Sequence, residues 1–221
     1  MTAFAAIRER AIARLGAGEL TRRLPQPKSA DALRAVPDDR YLSLMSLRVF
    51  RAGLKHSLVD AKWPVFEEVF FGFAPRRVTS ISDEAIEGML KDERLIRHLG
   101  KLRAVRDNAA AMLQVKEEKG SFGAYLADWP ANDIVGLWDD LARRFSQMGG
   151  NSAVMFLRMV GKDTFVLGEA VVKALQHWGV LDGPPKGKKD RARVQAQFNR
   201  WAEETKLPLS QLSMTLAGSI D

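Results

Sequence analysis

The segment Gly161-Lys-Asp-Thr-Phe-Val-Leu-Gly168 places Asp163 ahead of an amphipathic run whose apolar stripe is Leu167, Val171, Ala174, Leu175 and Trp178. A carboxylate in that setting either caps a helix by accepting from exposed amides or faces a ligand as a fixed negative charge. Upstream, Gly149-Gly150-Asn151-Ser152 precede a compact apolar run from Ala153 to Met159. The glycines permit positive φ or close approach to another surface, and Asn151 and Ser152 are good capping residues. The unpaired amides and positive dipole of such a helix N-terminus suit an anion, phosphate included. A third feature is Arg48, set beside Val49 and Phe50 in the apolar stretch YLSLMSLRVF. A guanidinium there either pairs with a buried acid or faces a pocket. Phe50, His56, Trp63 and Trp129 supply aromatic faces that line a stacking pocket or, at helical spacing, build core.

Helices must hold these residues, and the periodicity supplies them. Thr2 to Leu15 is amphipathic, with Phe4, Ile7, Ala11 and Leu15 on one side and Arg8, Glu9 and Arg14 on the other, and Gly16 and Gly18 end it. The stretch Arg22 to Pro37 carries Pro25, Pro27 and Pro37 and reads as a wrapped loop with at most one short helix. Asp38 and Asp39 then cap an apolar helix expected to run unbroken from Tyr41 to Val59. Lys162-Asp163-Thr164 is expected to start the helix that Gly179 stops, with Glu169 and Lys173 one turn apart. Lys186, Lys188, Lys189, Arg191 and Arg193 form a dense basic run that either meets phosphate or lies in a solvated loop before a helix. The end of the chain reads as two helices parted at Leu207-Pro208, with Trp201 and Leu212 buried. The fold class expected is all-α, one domain over 1–221 or two interleaved helical lobes, with a hairpin region at 141–180 and terminal helices at 1–16 and 191–221 packing on the body.

Composition narrows the chemistry. With 221 residues, 46% hydrophobic and 28% charged, the chain is long enough for a sizeable core and ordinary for a globular protein. No apolar run is long enough to cross a bilayer, so no membrane partner is expected and the cytoplasm is the simple location. Cysteine is absent and His56, His98 and His177 show no ligand spacing, so disulfides and thiolate metal sites are excluded and neither a metal nor another cofactor is expected. The net charge of +7 favours a polyanionic partner without identifying it.

Several segments together resemble a known family. FSQMGGNSA, from Phe145, is similar to the LPGVGxxTA hairpin of the helix-hairpin-helix DNA glycosylases, and Asp163-Thr164-Phe165-Val166 to the aspartate-led segment that follows it. LRVFRAGL from Leu47, VFEEVFFGFAPRRV from Val65, LIRHLGKLRAVRDNA from Leu95 and GSFGAYL from Gly120 resemble the 3-methyladenine DNA glycosylase I family, with its LExFQAGLSW, FxGFDPxxV and IIRNxxKIxAxxxNA segments. The likeness covers roughly Tyr41 to Val180.

That resemblance implies two helical lobes around a cleft, a monomer bound to double-stranded DNA, and hydrolysis of the N-glycosidic bond of a flipped, damaged base, alkylated on family grounds. It implies that Asp163 opposes the oxocarbenium-like sugar and orients water, that Gly149, Gly150, Asn151 and Ser152 hold backbone phosphate, and that Arg48, Phe50, His56 and Trp63 surround the base. Asn151 occupies the place of the Schiff-base lysine of bifunctional members, which implies no lyase activity. The sequence also departs from the family: Arg48 stands for the pocket glutamate, His56 for the stacking tryptophan, and the zinc clasp has no counterpart. A guanidinium in place of a carboxylate inverts the local charge and removes an acceptor that a cationic base favours. The alternative is a helix-hairpin-helix DNA-binding protein that kept the fold and lost the chemistry.

Overall fold

The computed structural model describes residues 3–220, and among them every regular element is helical. In chain order these are α1 (Phe4–Leu15), α2 (Ala17–Arg23), α3 (Ala30–Arg34), α4 (Asp38–Arg51), α5 (His56–Val69), α6 (Pro75–Val78) and α7 (Asp83–Gly88). There follow α8 (Leu99–Lys119), α9 (Phe122–Asp128), α10 (Ile134–Arg144), α11 (Asn151–Val160), α12 (Glu169–His177), α13 (Gly187–Thr205) and α14 (Leu209–Gly218). No helix among the described residues is long and apolar enough to cross a membrane. The chain forms two compact units that alternate along the sequence, one of residues 1–28, 130–136 and 163–221, the other of residues 29–129 and 137–162.

In the first unit, α1 buries Phe4, Ile7 and Ala11, one face at helical spacing, and Phe4 meets Trp201 of α13 at 5.5 Å between ring centroids. Phe165 stacks on Phe198 at 4.3 Å, and Leu212 and Leu216 of α14 are fully buried. Each such ring or leucine contributes about 1.5–3 kcal/mol by leaving water. The expected loop at 22–37 passes into the second unit and holds one short helix there, α3, whose N-cap Ser29 accepts from the Ala32 amide at 3.2 Å. The helix expected to start at Lys162 does not start there. Gly161 takes left-handed φ of 87° and closes α11, residues 162–168 form no regular structure, and α12 begins only at Glu169. This irregular segment is tied to α14: the Val166 amide donates to Ser213 Oγ at 3.1 Å, and both Asp163 oxygens are engaged at that helix's start.

In the second unit, the apolar run from Tyr41 to Val59 is two helices. Ala52 is extended and Gly53 has a φ of 74°, which breaks the run between α4 and α5. Nor do Asp38 and Asp39 cap α4, whose N-cap is Pro37; Asp38 instead accepts from the Phe122 amide at 2.9 Å, at the start of α9. Phe50, Phe66, Phe70 and Phe73 are fully buried and, with Trp63, form a continuous aromatic cluster. The long helix α8 runs through this unit, burying Leu102, Val105, Ala109 and Met112.

Candidate active site

The hairpin between α10 and α11 is anchored from below. Phe145 and Met148 are buried, and the fully buried Asn108 of α8 reads both backbone groups of Ser146. Its Nδ2 donates to the Ser146 carbonyl at 3.1 Å, and the Ser146 amide donates to its Oδ1 at 2.6 Å. Just before the turn, Asp140 accepts from Tyr125 Oη and from Arg144 Nε, both at 2.9 Å, and from Arg143. Burial alone would raise the Asp140 carboxyl, but the hydrogen bonds from Tyr125 and Arg143 and the charges of Arg144 and Arg143 hold it below the usual range.

The helix after the turn starts at Asn151, two residues earlier than expected, and its N-cap is Gly150 with φ 58° and ψ −129°. No side chain caps this end, so Asn151 and Ser152 are not the caps their types suggested. The Ser152 amide donates to the Gly149 carbonyl at 3.1 Å, whereas the amides of Gly149, Gly150 and Asn151 meet no acceptor among the described residues. Gly149, Gly150 and Asn151 are exposed; Ser152 is buried. An uncapped, exposed helix N-terminus with free amides is suited to an anion.

The four residues expected around a base lie in the same unit but in different settings. Phe50 is 0% exposed, with its ring edge-on to Phe66 at 4.6 Å, so it is core and presents no face to a ligand. Trp63 is half-buried, stacked with Phe66 at 5.0 Å and with Phe73 at 5.4 Å, and donates from Nε1 to Ser43 Oγ at 3.1 Å. His56 is exposed in the first turn of α5. Arg48 is half-buried in the last turn of α4, and its Nε is sealed from water without a hydrogen-bond partner. Burial, and then the charge of Arg51, lower its pKa. The buried Lys101 of α8 donates to the carbonyls of Phe50 at 3.3 Å and Ala52 at 2.6 Å, closing the end of α4. Its ammonium is likewise lowered by burial and by Arg48. Lys101 is thus no surface charge, and its ammonium serves the end of α4. Asn108 and Lys101 escaped notice as positioning residues; the one available signal was a polar side chain within an otherwise apolar helical face.

Asp163 belongs to the other unit. Its Oδ2 accepts from the Leu209 amide at 2.8 Å and its Oδ1 from the Ser210 amide at 2.9 Å, so it caps α14 and not the helix that follows it in sequence. It remains half-exposed on a depression of about 510 Å³ lined also by Pro27, Lys28, Asn132, Asn199, Glu203 and Lys206. An ionised carboxylate has about four lone-pair positions, of which these amides take two. The rest are open to water or to a ligand in the depression. The basic run also falls in this unit, with Lys188, Lys189, Arg191 and Arg193 in the first turns of α13.

A family model described as methyladenine glycosylase matches residues 33–182. DNA-3-methyladenine glycosylase 1 of Escherichia coli (strain K12) is 30% identical over 83 residues, which are 38% of this chain and 44% of that protein, so the chain spans less than half the length of that relative. Among solved structures, 3-methyladenine DNA glycosylase I from Staphylococcus aureus aligns over 75% of this chain and 88% of its own, with a TM-score of 0.52 and 20% identity. A point variant of 3-methyladenine DNA glycosylase I in complex with 3-methyladenine aligns over 76% and 92%, with a TM-score of 0.54 and 19% identity. At that identity the solved structures establish a common helical fold.

Proposed function

We propose that this chain, which belongs to the methyladenine glycosylase family, is a monofunctional DNA glycosylase of base-excision repair. It works as a cytoplasmic monomer on double-stranded DNA, takes a damaged base out of the stack and hydrolyses its N-glycosidic bond with water. An alkylated base is the substrate class that the named relatives suggest. The observation that carries the reading is the double anchoring of the Asp163 carboxylate on the Leu209 and Ser210 amides. A carboxylate fixed by two donors cannot swing away as positive charge develops on the sugar, and such preorganised opposing charge favours the transition state over the ground state. Its remaining lone pairs can accept from the attacking water and so orient it. The free amides at the start of α11 hold backbone phosphate, with Asn108 keeping the turn in shape. Asn151 offers no amine for a Schiff base, so the product is an abasic site without strand cleavage.

Incubation of the purified protein with methylated duplex DNA, followed by chromatography of released bases and gel analysis with and without alkali, tests this. Free base is expected, with strand scission only after alkali. A second reading, an inactive DNA-binding member of the family, is favoured by the unpaired guanidinium of Arg48. Salt-sensitive DNA binding with no base released from a broad lesion panel would establish it instead.

A further inference from the structure

The end of α4 carries more positive charge than it has partners for. Arg48, Arg51 and Lys101 lie close enough for Arg48 to be perturbed by Arg51 and Lys101 by Arg48. Asp60 is taken by Arg51, whose Nε and Nη2 reach it at 2.7–2.9 Å. The carbonyls of Phe50 and Ala52 at the end of α4 are taken by Lys101. Arg48 is left with no hydrogen bond or ion pair among the described residues, and its Nε is shut off from water as well. Nη1 and Nη2, which are not sealed as Nε is, form a planar donor pair with no protein acceptor beside a second buried cation, and such a pair is matched by a ligand that brings acceptors and no positive charge.

We propose that Arg48 makes this protein selective for bases that are uncharged in DNA and carry adjacent carbonyl-oxygen and ring-nitrogen acceptors, the oxopurines, and that it assists their departure. This rests on the reading of the protein as a base-excising enzyme with Arg48 facing the base. Geometry and charge both enter. Two parallel N–H groups of a guanidinium match the oxygen and ring nitrogen on the major-groove edge of an oxopurine. When the C1′–N bond breaks, its electron pair goes to the base. A cationic alkylated base leaves neutral and gives a guanidinium nothing to stabilise, whereas an uncharged base leaves as an anion whose charge spreads onto its carbonyl oxygen. Arg48 then donates to that oxygen as the charge grows. Water adds at C1′, and the proton it releases ends on the departed base, so base-linked sugar and water become free base and sugar hydroxyl.

Single-turnover release from duplexes carrying one lesion each tests this: hypoxanthine, an uncharged oxopurine; 7-methylguanine, a cationic one; and 1,N6-ethenoadenine, uncharged without a carbonyl. The wild-type protein is expected to release hypoxanthine fastest. Arg48→Gln should lower the hypoxanthine to 7-methylguanine rate ratio by roughly 10²–10³-fold, the range seen on removing one donor to a developing anion, and Arg48→Lys should restore part of it. The ratio is read within one protein, so partial unfolding does not move it. Preferential release of 7-methylguanine by the wild-type protein, or an unchanged ratio in Arg48→Gln, overturns the role of Arg48 while base excision stands. Release of no base from any duplex overturns both.

Discussion

Replacing Asp163 separates its two duties, because a helix cap and an electrostatic partner of the sugar respond differently to Asn and to Ala. Asp163→Ala removes both acceptors from the Leu209 and Ser210 amides. Loss of a cap costs about 0.5–2 kcal/mol, which for a chain of this size lowers the melting temperature by roughly 1–8 °C. Asp163→Asn keeps one acceptor oxygen and turns an NH2 group toward the second amide, so its melting temperature should lie between those of the wild type and the alanine variant. Base release should not follow that order. Neither variant has a full negative charge to set against the oxocarbenium-like sugar, so both should lose at least about 10²-fold in single-turnover rate. The assays are thermal melting, fluorescence anisotropy with lesion-containing duplex, and single-turnover release at a temperature where all three proteins are folded. DNA affinity should stay within a few-fold. If Asp163→Asn keeps wild-type release while Asp163→Ala loses it only in step with its melting temperature, Asp163 is a cap and the assignment of chemistry to it is wrong.

Three further outcomes follow from the hairpin. Asn108→Ala removes both hydrogen bonds to Ser146 and leaves its amide and carbonyl unpaired, at a cost of about 2–4 kcal/mol; urea denaturation should register that loss, DNA affinity should fall with it, and a change below about 0.5 kcal/mol would mean the clamp is idle. Gly150→Ala meets no steric neighbour, since an added Cβ finds nothing within 4 Å, yet its φ of 58° with ψ of −129° suits only glycine, so strain of about 1–3 kcal/mol is expected, read by urea denaturation beside a weaker DNA complex in anisotropy. Asp140 has a folded-state pKa depressed below its ordinary value, so its contribution to stability is present above roughly pH 4 and is lost as the pH falls through the lower, folded value. Asp140→Asn should accordingly be less stable than the wild type at pH 7, with the gap narrowing as the pH falls below about 4; a gap that does not change with pH would exclude a role for that ionisation.

The helical architecture was legible because most helices carry one apolar face at 3.6-residue spacing, as Phe4, Ile7 and Ala11 do in α1. Failures fell where a local preference lost to a distant partner. Asp163-Thr164 reads as a helix start by type, but the Asp163 carboxylate bonds to α14, tens of residues further on, and the segment stays out of any helix. Asp38 follows the same rule, capping α9 and not the helix it opens. Between Tyr41 and Val59 the apolar period continues across Gly53, so hydropathy alone could not place the break that the positive φ of that glycine makes. Capping by Asn151 and Ser152 failed because Gly150 had already turned the chain into the helix.

Candidate residues were legible to a different degree, and charge explains why. Phe50 was named for its ring, and a ring is indifferent between a ligand and a core; the surrounding phenylalanines won it for the core. Arg48 was named because a guanidinium in an apolar helix demands a partner, and that demand survives in the structure, where no partner meets it. An unmet donor in a half-buried site is destabilising in the free protein. The sealed Nε carries that cost, whereas Nη1 and Nη2 are not sealed and have no protein acceptor, so the side chain that is a poor structural residue is free to recognise an acceptor. A tighter DNA complex in Arg48→Gln than in the wild type, on every lesion, would break that link between cost and function.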